Sequence, residues 1–141
     1  MKKNAFIGLA ILFSCFSAKA SDVVFADGST KILVDNKQNK MFCTNCGGGN
    51  EVRLISGPVP GFEGIGSGVE KYFKEEGILI VRTDMGTSCL SGQYIVIDLN
   101  VRTSKELNFP SCNEAQTSFS SEKGKAIMRI KQGKKVTVFK F

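Results

Sequence analysis

Ile78-Leu79-Ile80-Val81-Arg82 is an unbroken apolar run closed by one cation. A continuous run of this kind suggests a central strand buried on both faces. Downstream, the stretch 93–99 alternates, with Tyr94, Val96 and Asp98 on one side and Ile95, Ile97 and Leu99 on the other. That period of two is the mark of a strand with distinct faces. Upstream, residues 67–76 read differently. Ser67 and Glu70 have the spacing of a capping box, and Val69, Tyr72 and Phe73 stand at i, i+3 and i+4. The pattern predicts one short helix over about 67–76, stopped by Gly77.

The flanks continue the β reading. Val23-Val24-Phe25 is a short strand ended by Asp27-Gly28, and 30–35 alternates before the polar loop 35–39. Residues 51–56 alternate again. Residues 57–66 hold Pro58, Pro60 and four glycines, so that stretch is irregular. Residues 105–109 return after a loop, 115–121 form a polar edge-like strand, and 125–131 with 135–141 make a hairpin around Gln132-Gly133. The expected fold is mainly β: an antiparallel sandwich, barrel or blade-like sheet with one short helix, stapled by disulfides.

The first 20 residues are expected to be a leader. Met1-Lys2-Lys3 is basic, residues 5–13 are apolar, and Ala18-Lys19-Ala20 is an A-x-A cleavage site. The apolar stretch is too short for a membrane span, which needs about 20 residues. The minor alternative is a lipoprotein signal using Cys15 as its lipid site, with the large Phe13 a poor fit. Cleavage leaves one mainly β domain over 21–141, with no transmembrane segment, in a bacterial periplasm or secreted. Three of the 19 basic residues lie in the leader, so the remainder carries a net charge of +3 instead of +6.

Four cysteines remain: Cys43, Cys46, Cys89 and Cys112. In an oxidising compartment they read as two disulfides with three possible connectivities, of which 43–46 plus 89–112 is favoured. A thioredoxin-like reading of Cys43-Thr44-Asn45-Cys46 is opposed by the following Gly47-Gly48-Gly49-Asn50, a poor helix start. A zinc site lacks a second properly spaced pair. No metal and no cofactor is expected.

The chain has no histidine, which excludes Ser-His-Asp and Cys-His catalysis. Its acids share no motif, no nucleophile elbow is present, and no catalytic residue is assigned. Two features suit partner binding. Phe62 and Ile65 in the glycine-rich loop would be apolar anchors if exposed and core if buried. Arg129, Lys131, Lys134 and Lys135 belong to a basic C-terminal strip, which could bind nucleic acid, lipid headgroups or an acidic protein, or simply guard a sheet edge.

Gly86-Thr87-Ser88-Cys89, Gly92-Gln93-Tyr94-Ile95-Val96-Ile97-Asp98 and Phe109-Pro110-Ser111-Cys112 resemble a pattern in small, largely uncharacterised secreted bacterial β proteins. There a G-G-x-A-C turn, a strand pair and an F-G-x-C turn are joined by a disulfide. The likeness covers about 27 of the 141 residues, and this chain departs from it at Thr87 and Pro110. It implies the 89–112 bridge and a β fold, and no activity.

The expected function is a secreted or periplasmic protein-binding module, in its sharper form an inhibitor or immunity-type protein against an envelope-acting enzyme or toxin. A protein partner is expected and nucleic acid is not. The first alternative is thiol–disulfide exchange by Cys43 and Cys46. The second is a structural or anionic-surface-binding envelope protein.

Overall fold

Turn chemistry cuts the chain into strands at short, regular intervals. A computed structural model describes residues 21–141 except 48, 63–67, 84, 86–88, 91 and 109–111. The leader, Cys15, Ile65 and Ser67 lie outside the described residues. The strands are β1 (Asp22–Asp27), β2 (Thr30–Asp35), β3 (Lys40–Thr44), β4 (Val52–Ile55), β5 (Gly68–Phe73) and β6 (Ile78–Thr83). They continue with β7 (Gln93–Asp98), β8 (Thr103–Leu107), β9 (Gln116–Glu122), β10 (Lys125–Gln132) and β11 (Lys135–Lys140). Asp35 Oδ1 accepts the N–H groups of Lys37 and Gln38 at 3.0 and 3.1 Å, and Asp98 Oδ1 accepts those of Asn100 and Val101 at 2.9 and 3.2 Å. Each carboxylate supplies the turn's missing acceptor and reverses the chain between adjacent strands.

Among the described residues, every sheet is built from consecutive strands paired antiparallel. The first sheet runs β1-β2-β3-β4, the second β5-β6-β7-β8, and the third, among the described residues, β11-β10-β9. Two cores result. Ile32, Val34, Met41, Cys43 and Ile55 of the first sheet pack with Leu79, Val81, Ile95 and Ile97 of the second. Phe73, Ile78, Ile80, Tyr94, Val96 and Leu107 of the second pack with Ala126, Met128 and Ile130 of the third. The unbroken run at 78–81 is explained by this arrangement. Leu79 and Val81 serve one core, Ile78 and Ile80 the other, and all four are buried.

The short helix expected over 67–76 is not there: Gly68–Phe73 is a strand, and residues 74–77 are a turn leading into β6. Two cores require apolar side chains on opposite faces, and consecutive strand residues supply them. Tyr72 meets Phe25 edge-on at 5.0 Å, while Phe73 meets Phe119 of β9 at 6.4 Å. A helix would have put both rings on one stripe. Gly77 ends a hairpin turn at φ 69°, not a helix.

The first and second sheets are also joined at one end. Ser56 bridges to Thr103, with Ser56 N–H donating to Arg102 O at 3.0 Å and Ser104 N–H donating to Ser56 O at 2.7 Å. Ser104 Oγ donates to Pro58 O at 2.7 Å. This ties the end of β4 to β8.

Candidate functional site

The cysteines divide into two kinds. Cys89 and Cys112 are joined in a disulfide. Cys43 and Cys46 stand as free thiols, so the 43–46 bridge favoured from the sequence is not formed in this structure. Cys43 lies on the inward face of β3, completely buried. Cys46 lies in the turn between Asn45 and Gly47, which take φ of 59° and 76°, and it packs in the same core. Burial, and then the hydrogen bond and proximity to the Cys43 thiol, push the Cys46 thiol up to about 12, against a smaller opposing effect of Arg102. A reactive thiol needs the opposite surroundings, electropositive and open to solvent. The pair is poorly placed for exchange chemistry.

Among the described residues no three His, Cys, Asp or Glu side chains gather as a metal site. Asp98 is occupied in its turn. Tyr72 and Tyr94 are held above the ordinary phenol value, in both cases chiefly by burial.

Phe62, offered as an apolar anchor, is half-buried against the first core. Thr83 Oγ1 donates to the carbonyl of neighbouring Gly61 at 3.1 Å and ties this segment to β6. Phe62 is therefore a packing residue of the first core, apart from the basic strip on the third sheet. Of the strip, Lys134 is in the β10–β11 turn, Lys135 pairs with Gln132 on the other side, and Arg129 and Lys131 are on the outer face of the third sheet. Cross-strand neighbours there are Arg129 with Val138 and Lys131 with Val136. Val136 and Val138 are 53% and 46% exposed. Arg129 is already engaged, donating to Glu122 Oε1 at 2.6 Å and to Ser120 Oγ at 2.7 Å. Glu122 is correspondingly held below the usual carboxylate range, first by that Arg129 hydrogen bond. Lys131, Lys134 and Lys135 remain exposed near the turn, and Lys140 is exposed at the far end of β11, opposite Ile127.

Two surfaces went unread in the sequence. The outer face of the first sheet carries Val23, Leu33, Phe42 and Leu54 as cross-strand neighbours in one row. The alternation of β2 and β4 was legible, but which face would be outside was not. The other is a cleft of about 420 Å³ between the second and third sheets. Its floor is Ile78, Val96, Leu107, Phe139 and Phe141, and Asp98, Lys105, Glu106 and Lys140 stand at its rim. It arises from the way two sheets overlap, which no local pattern reports.

No known protein family, curated protein or solved structure matches this chain.

Proposed function

We propose that the chain is a protein-binding module of an oxidising compartment, periplasmic or secreted, that acts by docking and not by chemistry. The observation that carries this reading is the outer face of the third sheet. Val136 and Val138 stand side by side and exposed, flanked by Lys131 and Lys140, and the nearby Glu122 is taken by Arg129. Apolar side chains framed by exposed charge of one sign suit an acidic protein surface, with the valines supplying buried area and the lysines orientation. The Cys89–Cys112 bond supports the compartment. Consecutive meanders packed face to face favour the blade-like form over a closed barrel, and such a rigid scaffold loses little order on docking. An inhibitor or immunity-type protein, occupying the surface of an envelope-acting enzyme or toxin, is the sharper form of this function.

The test is reconstitution with purified components after affinity capture from envelope extracts. A partner that binds the wild type stoichiometrically should lose at least about tenfold in affinity to the double variant Val136→Glu, Val138→Glu. It should be indifferent to Val52→Glu on the first sheet. Equal binding by both variants would remove the third sheet from the interface.

A second reading, attachment to an anionic surface, is favoured by the exposed Lys131, Lys134, Lys135 and Lys140. It predicts binding to an anionic polymer that falls steeply with salt. Binding insensitive to salt would exclude it.

A further inference from the structure

The third sheet stops short of covering the second. β9 lies over β5, as the Phe73–Phe119 contact shows, and β11 lies toward β7 and β8, where Phe139 and Phe141 share the cleft with Val96 and Leu107. Thr103 and Lys105 face the third sheet from β8 beside Asp98 and Val96, yet both are exposed. The cleft is the space next to β11 above β8. The first and second sheets have four strands each, and the third has three among the described residues.

Among the described residues, β11 offers an open ladder at that place. Phe141 N–H donates to Ala126 O at 2.9 Å, which sets the alternation along the pair. The N–H and C=O groups of Val136, Val138 and Lys140 therefore point away from β10, toward the free edge. The other edges are blunted. β1 and β5 each carry a register shift. β4 and β8 are tied together through Ser56 and Thr103. β9 is polar, with Ser118 and Ser120 on its outer side. β11 pairs with β10 without any shift from Gln132–Lys135 to Ile127–Lys140. An unbulged, alternating edge strand is a template for another chain.

We propose that β11 receives an added strand from a partner protein, which pairs with Val136, Val138 and Lys140, drops apolar side chains into the cleft over Leu107 and presents acidic side chains to Lys131 and Lys140. This deepens the protein-binding reading, on which it rests, by naming the partner's form: an extended segment alternating apolar and acidic residues. Charge decides the occupant. β11 bears Lys135 and Lys140 and no acid, and Lys134 precedes it. Pairing β11 with a second copy of itself would set lysines from both chains along one ladder, which like charges oppose.

The experiment titrates a short capped peptide of alternating valine and glutamate into the isotope-labelled protein, read by NMR and by amide hydrogen exchange. The amides of Val136, Val138 and Lys140 should shift and exchange at least about tenfold more slowly at saturation. The same peptide N-methylated along its pairing edge should bind at least about tenfold more weakly. Val138→Pro should weaken binding similarly while leaving the fold intact, because the Val138 N–H makes no bond to β10. Should that variant fail to fold, the N-methylated peptide decides alone. Three results overturn the proposal. One is no response at millimolar peptide while the captured partner still depends on Val136 and Val138, which leaves protein binding standing without strand addition. Another is equal binding of the N-methylated peptide, which makes the cleft a site for apolar ligands. The third is a dimer in the absence of peptide with these three amides already protected, which assigns the edge to a second copy.

Discussion

Cys46 shows how one side chain's surroundings decide between chemistries that share a motif. Its C-x-x-C spacing is that of exchange proteins, but its thiol is in a core beside another thiol, and the neutral form is favoured. In the native protein at neutral pH, iodoacetamide should modify neither Cys43 nor Cys46, and after denaturation without reductant it should modify both. Intact-mass measurement distinguishes the outcomes: modification of the native protein would restore the exchange reading, and none after denaturation would mean the two are bridged. The same group links stability to pH. Its folded value lies above the ordinary 9.0, so the fold prefers the protonated thiol. Its contribution is complete below about pH 9 and is lost as pH rises toward about 12. Tyr72 and Tyr94 shift in the same sense, so stability measured by denaturant titration should fall across this alkaline window.

At the junction of β4 with β8, a glycine is required by contact as well as by backbone. Gly57 has φ of 119°, and a Cβ there would lie 2.3 Å from Ser104 O. Gly57→Ala should therefore cost on the order of 1–3 kcal/mol through strain and displacement of the Ser56–Ser104 bonds. Ser104→Ala, which removes the hydroxyl's bond to Pro58 O and its longer contact with Ser56 O, should cost about 1 kcal/mol. Chemical denaturation of the two variants checks the order, and equal losses would mean the junction contributes no more than its hydroxyl bond. Most elements were legible in advance because their signals are local. The alternation at 30–35 and 93–98, the unbroken run at 78–82 and the polar 115–121 stretch all became strands. The failure at 68–73 has a physical reason. Val69, Tyr72 and Phe73 fit a helical stripe, but adjacent aromatics serving two cores fit a strand as well, and only tertiary packing chooses. The basic strip could be seen from its lysines. That Phe62 turns inward, and that β8 is left uncovered, depend on how sheets overlap.

Across the molecule, the disulfide spans the whole hairpin formed by β7 and β8. Cys89 and Cys112 are separated by 23 residues, and closing a loop of that size stabilises by about 3 to 3.5 kcal/mol in the chain-entropy estimate. The paired substitution Cys89→Ala, Cys112→Ala should lower stability by about that amount, seen as a reduced denaturation midpoint with little change in slope. A loss well under 1 kcal/mol would show that the unfolded chain is already constrained in this region.

The two cores have no residue in common, and the middle sheet is the one element present in both. Cooperativity between the first meander and the third is therefore relayed, nearest neighbour to nearest neighbour, through β5 to β8. Loosening the third sheet removes a neighbour from the second and takes nothing directly from the first. The molecule should behave as a short one-dimensional array, fraying from either outer face, with its slowest-opening amides in β6 and β7.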